Sequence, residues 1–116
     1  MKVLVICAAD PYDGSDNAWH ALRVARFSVD EGHSAKLFLI GDGVSLAHDS
    51  VPDTSGDLEM DKLLRKVVEI GAETVACGTC LGMRKLDENG VKSGITPGTM
   101  KMLVNWIDWA DKVVNF

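Results

Sequence analysis

Two of the three cysteines in the chain, Cys77 and Cys80, are separated by two residues within residues 75–84. They follow a short apolar run and precede a helical pattern, which places both thiols at a strand-to-helix junction. Amides at a helix N-terminus favour the thiolate form of cysteine. A thiolate in this position can attack a persulfide or disulfide sulfur and carry the transferred sulfur onward. The spacing thus favours sulfur chemistry, and the alternative is that both are small buried apolar residues.

The same cysteine pair does not predict a metal site within one chain. Zinc requires two more ligands, and the sequence has no second Cys-x-x-Cys and no pair of closely spaced histidines. An intermolecular zinc site is the remaining metal alternative. The Gly41-Asp42-Gly43 turn has neither the Gly-x-Gly-x-x-Gly pattern nor a P-loop lysine, so a tight strand-exit turn explains it better than a nucleotide site. We therefore expect no metal and no cofactor.

The other candidates for sulfur or proton chemistry are isolated. Cys7 lies inside an apolar run, which predicts core packing. His20, His33 and His48 are far apart in the sequence, and we expect surface roles for them. His20 or His48 as a proton-transfer partner of a thiol is the alternative.

Strands and helices alternate along the chain, and they must position these residues. Apolar runs predict four strands, over residues 2–8, 35–40, 73–77 and 112–116. Apolar side chains at helical spacing predict four helices, over residues 18–31, 58–70, 81–86 and 100–109. This alternation implies parallel pairing with right-handed crossovers. We predict a single α/β domain over residues 1–116. It is an open, mostly parallel sheet with helices on both faces, a Rossmann-like or flavodoxin-like three-layer sandwich.

The predicted strands bring several polar residues to one edge of the sheet. Asp10, Gly41, Asp42 and Cys77 each fall at or just after the carboxyl end of a predicted strand. In open α/β sheets the functional groups gather at these ends. We therefore predict a site at this edge.

Composition limits the classes of partner and location. The chain has 116 residues, 47% of them hydrophobic, and a formal net charge of −5. This charge argues against nucleic-acid binding by phosphate neutralisation. No apolar run has the length of a membrane span, and the N-terminal run is too short for a signal peptide. Three cysteines do not suggest a disulfide framework, and we expect a cytoplasmic protein without membrane contact.

Three segments resemble the DsrE-like sulfur-relay family (DsrE/DsrF/TusD type). They are the helix–strand–turn at residues 31–44, the cysteine loop at residues 76–81 with Arg84, and the helix entry and exit at residues 94–113. The resemblance covers nearly the whole chain. It implies a Rossmann-like sandwich that assembles into homo- or hetero-oligomers, often trimers or hexamers, and persulfide transfer at Cys77. The sulfur-relay members proper lack a second cysteine, so Cys80 is a departure that admits a dithiol–disulfide cycle.

From the cysteine pair and this resemblance we expect a small sulfur-relay protein, which carries sulfane sulfur as a persulfide on Cys77 with Cys80 assisting. Gly78 and Thr79 would supply backbone donors near the sulfur, and Arg84 would supply positive charge. Sulfur donor and acceptor proteins and a homo-oligomer (dimer, trimer or hexamer) are the expected partners. A dithiol redox protein using the same pair is one alternative. A non-catalytic oligomeric binding module, using the exposed loop at residues 49–56 and the Trp-rich last helix, is the other. In the relay role the protein would act either as a sulfurtransferase or as a persulfide carrier.

Overall fold

Five parallel strands form one sheet in the order β4-β3-β2-β1-β5. The computed structural model describes residues 1–116. The strands are β1 (Lys2–Cys7), β2 (Ser34–Leu39), β3 (Glu73–Cys77), β4 (Ile95–Gly98) and β5 (Lys112–Asn115), and the α-helices are α1 (Asn17–Asp30), α2 (Met60–Glu69), α3 (Gly78–Met83) and α4 (Met100–Trp109). Short 3-10 helices occupy Gly41–Ala47, Gly56–Leu58 and Glu88–Gly90.

The helices cover both faces of the sheet, as predicted. From β1 to β4 the chain steps across the sheet in one direction, and it then returns past β1 to form β5. Right-handed crossovers place α1 and α2 on one face, and the reversal of direction places α4 on the other. Trp106 of α4 packs edge-on against Phe38 of β2, with ring centroids 5.9 Å apart. The prediction of a single open α/β sheet is confirmed.

The three central strands are apolar because they are buried on both sides. Leu4, Leu37, Phe38 and Leu39 are fully buried. The apolar faces of the helices complete the core, and their buried residues are Ala18, Ala21, Leu22 and Ala25 of α1, Met60, Leu64 and Val67 of α2, and Leu103 and Trp106 of α4. None of the helices combines the length and apolar character that crossing a bilayer requires.

Strand β4 differs from the sequence expectation, which placed residues 94–99 in a lead-in to the last helix. Ile95–Gly98 pairs in parallel with β3 at the edge of the sheet. Pro97 lacks an amide proton, and an edge strand tolerates this because one of its sides pairs with nothing. Helix α3 also differs, since it begins at Gly78 directly after Cys77 and ends at Met83.

The 3-10 segment Gly41–Ala47 packs tightly against the end of β1. A Cβ atom on Gly43 would overlap the carbonyl oxygen of Cys7. Since that oxygen belongs to the backbone of a central strand, it has little freedom to move. Glycine at position 43 is therefore required for the segment to lie against the sheet. The same contact fixes the position of Gly41, the first residue of the segment.

This contact gives a stability prediction. Gly43→Ala should lower the free energy of unfolding by about 1–3 kcal/mol because the added methyl group forces the backbone apart. Gly82→Ala is the control, since no atom lies within 4 Å of its Cβ position. Because Gly82 lies within α3, alanine there should stabilise by roughly 0.5–1 kcal/mol. Urea unfolding measures both values, and equal effects of the two substitutions would contradict the role of Gly43.

Candidate functional site

Cys77 ends β3 and caps α3 without an intervening loop. Its Sγ atom accepts a hydrogen bond from the backbone N–H of Cys80 at 3.4 Å. The residue is only 4% exposed. The prediction that both thiols lie at a strand-to-helix junction is confirmed, since Cys77 ends β3 and Cys80 lies in the first turn of α3.

Cys80 is the more accessible thiol of the pair. It is partly exposed, and its Sγ atom accepts the backbone N–H of Gly41 at 3.2 Å. Gly41 follows the neighbouring strand β2, which pairs with β3 so that Leu39 lies opposite Ala76. The parallel register thus brings a backbone donor from one strand end to the sulfur at the next.

The protonation of Cys77 is set mainly by burial. Burial raises the pKa of the Cys77 thiol above its ordinary value. The N–H of Cys80 lowers that pKa in part, the neighbouring Cys80 side chain raises it, and the N–H of Thr79 gives a smaller decrease. Cys77 is therefore a neutral thiol near pH 7. Cys7, in the core of β1, also has a pKa raised by burial.

Arg84 connects the cysteine helix to the Gly41–Ala47 segment. Its Nη1 donates to the carbonyl oxygen of Cys80 at 3.1 Å, and its Nη2 donates to Asp42 Oδ1 at 2.8 Å. Asp42 raises the pKa of the Arg84 guanidinium, and ionised Cys80 and Cys77 act in the same direction. A half-exposed ion pair of this kind contributes only about 0–1 kcal/mol to stability, so its main effect is to hold a positive charge near both sulfurs.

Of the other residues predicted for the site, two lie beside the sulfurs and one lies apart. Gly78 and Thr79 form the first two positions of α3. Gly78 packs closely against Glu88, whose Oε1 lies 3.1 Å from the Cβ position of that glycine. Asp10 reaches the same edge of the sheet, but β1 is two strands away from β3, and its carboxylate accepts the N–H of Tyr12 at 2.8 Å. Asp10 thus stabilises its own turn.

Sequence reasoning missed the residues that hold the chain after α3 in place. Lys92 is 6% exposed, and its Nζ donates to the carbonyl oxygen of Leu46 and to Asp61, both at 2.7 Å. Its buried ammonium ties residues 84–94 to the Gly41–Ala47 segment and to α2. No local pattern predicts this lysine, because its partners are distant in the sequence.

His48 gives the same chain a second attachment, and the expectation of a surface role for it is wrong. The residue is 5% exposed, and its Nε2 donates to the carbonyl oxygen of Asp87 at 2.7 Å. The ring nitrogen Nδ1 accepts the N–H of Ser50 at 3.1 Å. Gly90 passes so close to the ring that a Cβ atom would overlap it. Asn89-Gly90 is a dipeptide typical of turns, and it indicates a turn here but not a contact with His48.

The site is defined by its chemistry and not by a deep cavity. The largest groove, of about 780 Å³, lies between α1 and α2, is lined by Trp19, Phe27 and Leu63 among others, and contains neither cysteine of the pair. No three His, Cys, Asp or Glu side chains are grouped to hold a metal ion. All three cysteines are free thiols. What the site offers is two adjacent thiols, backbone N–H donors to each sulfur and one cation.

Comparison with known proteins gives consistent matches over the full length. The sequence matches the DsrE/DsrF-like family over residues 1–116. An uncharacterized protein of Methanopyrus kandleri is 38% identical over 119 residues, covering 98% of this chain and 93% of that protein. One from Methanocaldococcus jannaschii is 34% identical over 118 residues and covers all of both chains. The crystal structure of the ychN protein from E. coli superposes with a TM-score of 0.86 at 27% identity, with 100% of each chain covered.

The difference in burial between the two thiols predicts a difference in reactivity. In Cys80→Ser, alkylation of Cys77 by iodoacetamide should be slow at pH 7 and should rise only at alkaline pH, because a raised pKa leaves little thiolate. In Cys77→Ser, alkylation of Cys80 at pH 7 should be faster by about an order of magnitude. Serine also caps helices well, so the Cys77 substitution preserves α3. Equal rates for the two thiols at pH 7 would contradict the assignment of Cys77 as the protonated, less reactive thiol.

Proposed function

The chain belongs to the DsrE/DsrF-like family, and on that premise we propose that it is a sulfur-relay protein that carries sulfane sulfur as a persulfide on Cys77, with Cys80 assisting. The observation that supports this most directly is the arrangement of the pair. A partly exposed thiol, held by the N–H of Gly41, lies beside a buried thiol at the end of β3.

In this proposal sulfur enters at Cys80. The Cys80 thiolate attacks the outer sulfur of a donor persulfide, and the donor leaves as its thiolate. The N–H of Gly41 stabilises negative charge on the Cys80 sulfur before this attack. Arg84 adds a positive charge near the anion that forms.

Transfer to Cys77 follows by attack on the same outer sulfur. A bond forms between Cys77 Sγ and the sulfane sulfur, and the bond from that sulfur to Cys80 Sγ breaks. The proton that the buried Cys77 holds passes to the leaving Cys80 thiolate, so no external acid or reductant is needed. Burial then shields the Cys77 persulfide from thiols in solution until an acceptor protein removes the sulfur. Thiols remain reduced in the cytoplasm, which is the location that we propose.

The alternative that the geometry also supports is a dithiol–disulfide redox protein. The neighbouring thiols and the position of Cys77 at the N-terminus of a helix suit a disulfide between Cys77 and Cys80. A redox protein of this kind would form the disulfide with a simple oxidant and would pass no sulfur on.

Single-cysteine variants test the relay. Cys77→Ser should gain the mass of one sulfur atom after brief exposure to glutathione persulfide, because it keeps Cys80, the thiol at which sulfur enters. Cys80→Ser should gain the same mass only on longer exposure, because Cys77 is buried and its pKa is raised. The double variant keeps only the fully buried Cys7 and should gain none. Acid-quenched intact mass spectrometry measures the gain. If neither single variant gains sulfur while its thiol remains alkylatable, the relay function is refuted and the redox alternative is favoured.

We also propose that the chain forms a homo-oligomer. Three apolar side chains form a stripe along the solvent side of α4: Met100, Val104 and Ile107, which are 57%, 57% and 45% exposed. Residues at this spacing share one helix face, and a continuous apolar face favours contact with another protein surface.

Light scattering tests the role of this stripe. Val104→Lys should shift the protein to a smaller assembly because it places a charge within the apolar face. Asn105→Lys, also exposed on α4, is the control and should leave the mass unchanged. An identical mass for both variants and the unaltered protein would exclude α4 as the contact surface.

A further inference from the structure

We propose that the cysteine pair has a second activity, the reductive release of sulfane sulfur as hydrosulfide. This inference rests on the proposed function only in that Cys80 must first accept a sulfane sulfur. When Cys77 attacks the inner sulfur of the Cys80 persulfide, a disulfide forms between Cys77 and Cys80. The bond between Cys80 Sγ and the sulfane sulfur breaks, and hydrosulfide leaves.

The electrons and protons balance within the site. The sulfane sulfur gains two electrons and departs as hydrosulfide, while the two cysteine sulfurs lose one electron each as their disulfide forms. Because the thiolate is the attacking form, Cys77 gives up its proton as it attacks, and that proton leaves with the hydrosulfide or passes to solvent. A dithiol reductant in solution then restores both thiols, and this is the only co-reactant that the cycle requires.

The relative burial of the two thiols sets the direction of this reaction. Displacement at sulfur proceeds with the attacking, central and leaving sulfurs in line. Cys77 lies on the buried side and Cys80 on the exposed side, so an attack from Cys77 drives the leaving sulfur toward solvent. The reverse attack, by Cys80 on a Cys77 persulfide, would push the leaving sulfur into the protein.

Two further contacts favour attack at the inner sulfur. The N–H of Gly41 bonds to Cys80 Sγ itself, so it holds the central sulfur in place. The N–H of Cys80 bonds to Cys77 Sγ, which keeps the attacking sulfur at the N-terminal end of α3 and next to its target. Cys7 cannot replace Cys77, because β1 lies two strand spacings, roughly 10 Å, from β3.

A single-turnover experiment without added thiol tests the release. The protein, in excess, is mixed with glutathione persulfide, and hydrosulfide is trapped with monobromobimane while acid-quenched samples give the intact mass. The unaltered protein should release about one hydrosulfide per persulfide and lose the mass of two hydrogens. Cys77→Ser should keep the added sulfur and release hydrosulfide at least roughly tenfold more slowly. Cys7→Ala, which leaves the pair intact, should match the unaltered protein.

Three outcomes separate this inference from the relay function. If the unaltered protein keeps the added sulfur and forms no disulfide, the release is refuted and the relay stands. If Cys77→Ser accumulates a glutathione adduct in place of a persulfide, hydrosulfide came from attack on the donor itself, and the release is likewise refuted. If neither the unaltered protein nor either single-cysteine variant takes up sulfur or releases hydrosulfide, the relay function fails as well.

Discussion

The hydrogen bond from the Gly41 N–H to Cys80 Sγ is the interaction on which the site depends. It joins the ends of two adjacent strands, and three separate conditions must hold for it to form. The register of β2 on β3 must bring Leu39 opposite Ala76. The Gly41–Ala47 segment must lie against β1, which the missing side chain of Gly43 permits. Helix α3 must also begin at once after Cys77, because only then does its first turn project Cys80 toward Gly41.

Two opposing effects act on the buried thiol, and their sizes decide its state. A helix N-terminus favours a thiolate, but this effect is confined to the first turn, and α3 has only six residues. Burial disfavours the charged form by a larger amount, and the pKa of Cys77 is raised. The expectation that the helix N-terminus favours the thiolate form is therefore wrong for Cys77. The two thiols therefore differ in environment: Cys80 is partly exposed, and Cys77 is buried with a raised pKa.

The sequence predicted the parts of this architecture that depend on local patterns. The apolar runs predicted four of the five strands, and the position of Cys77 at the end of a strand was predicted as well. Strand β4 was not predicted because it has four residues, includes Pro97 and owes its conformation to pairing with β3. The roles of Lys92 and His48 were missed for a related reason. A buried polar residue is stable only when its hydrogen bonds are satisfied, and here two of the acceptors, the carbonyl oxygens of Leu46 and Asp87, are 46 and 39 residues away from Lys92 and His48.

Those distant attachments fix the segments that surround the cysteine pair. Lys92 and His48 fix the chain after α3 to the Gly41–Ala47 segment, and Arg84 links the same segment to the cysteine helix. The segment that carries the Gly41 N–H and the helix that carries Cys80 Sγ are thus linked to each other directly through Arg84, and that segment is linked to the chain after α3 through Lys92 and His48. A single-cysteine carrier can lose its sulfur only to an acceptor that reaches it. In the proposed mechanism a second thiol beside the first provides an exit that needs no acceptor, and the balance between the proposed relay and the proposed release depends on which sulfur of the persulfide Cys77 attacks.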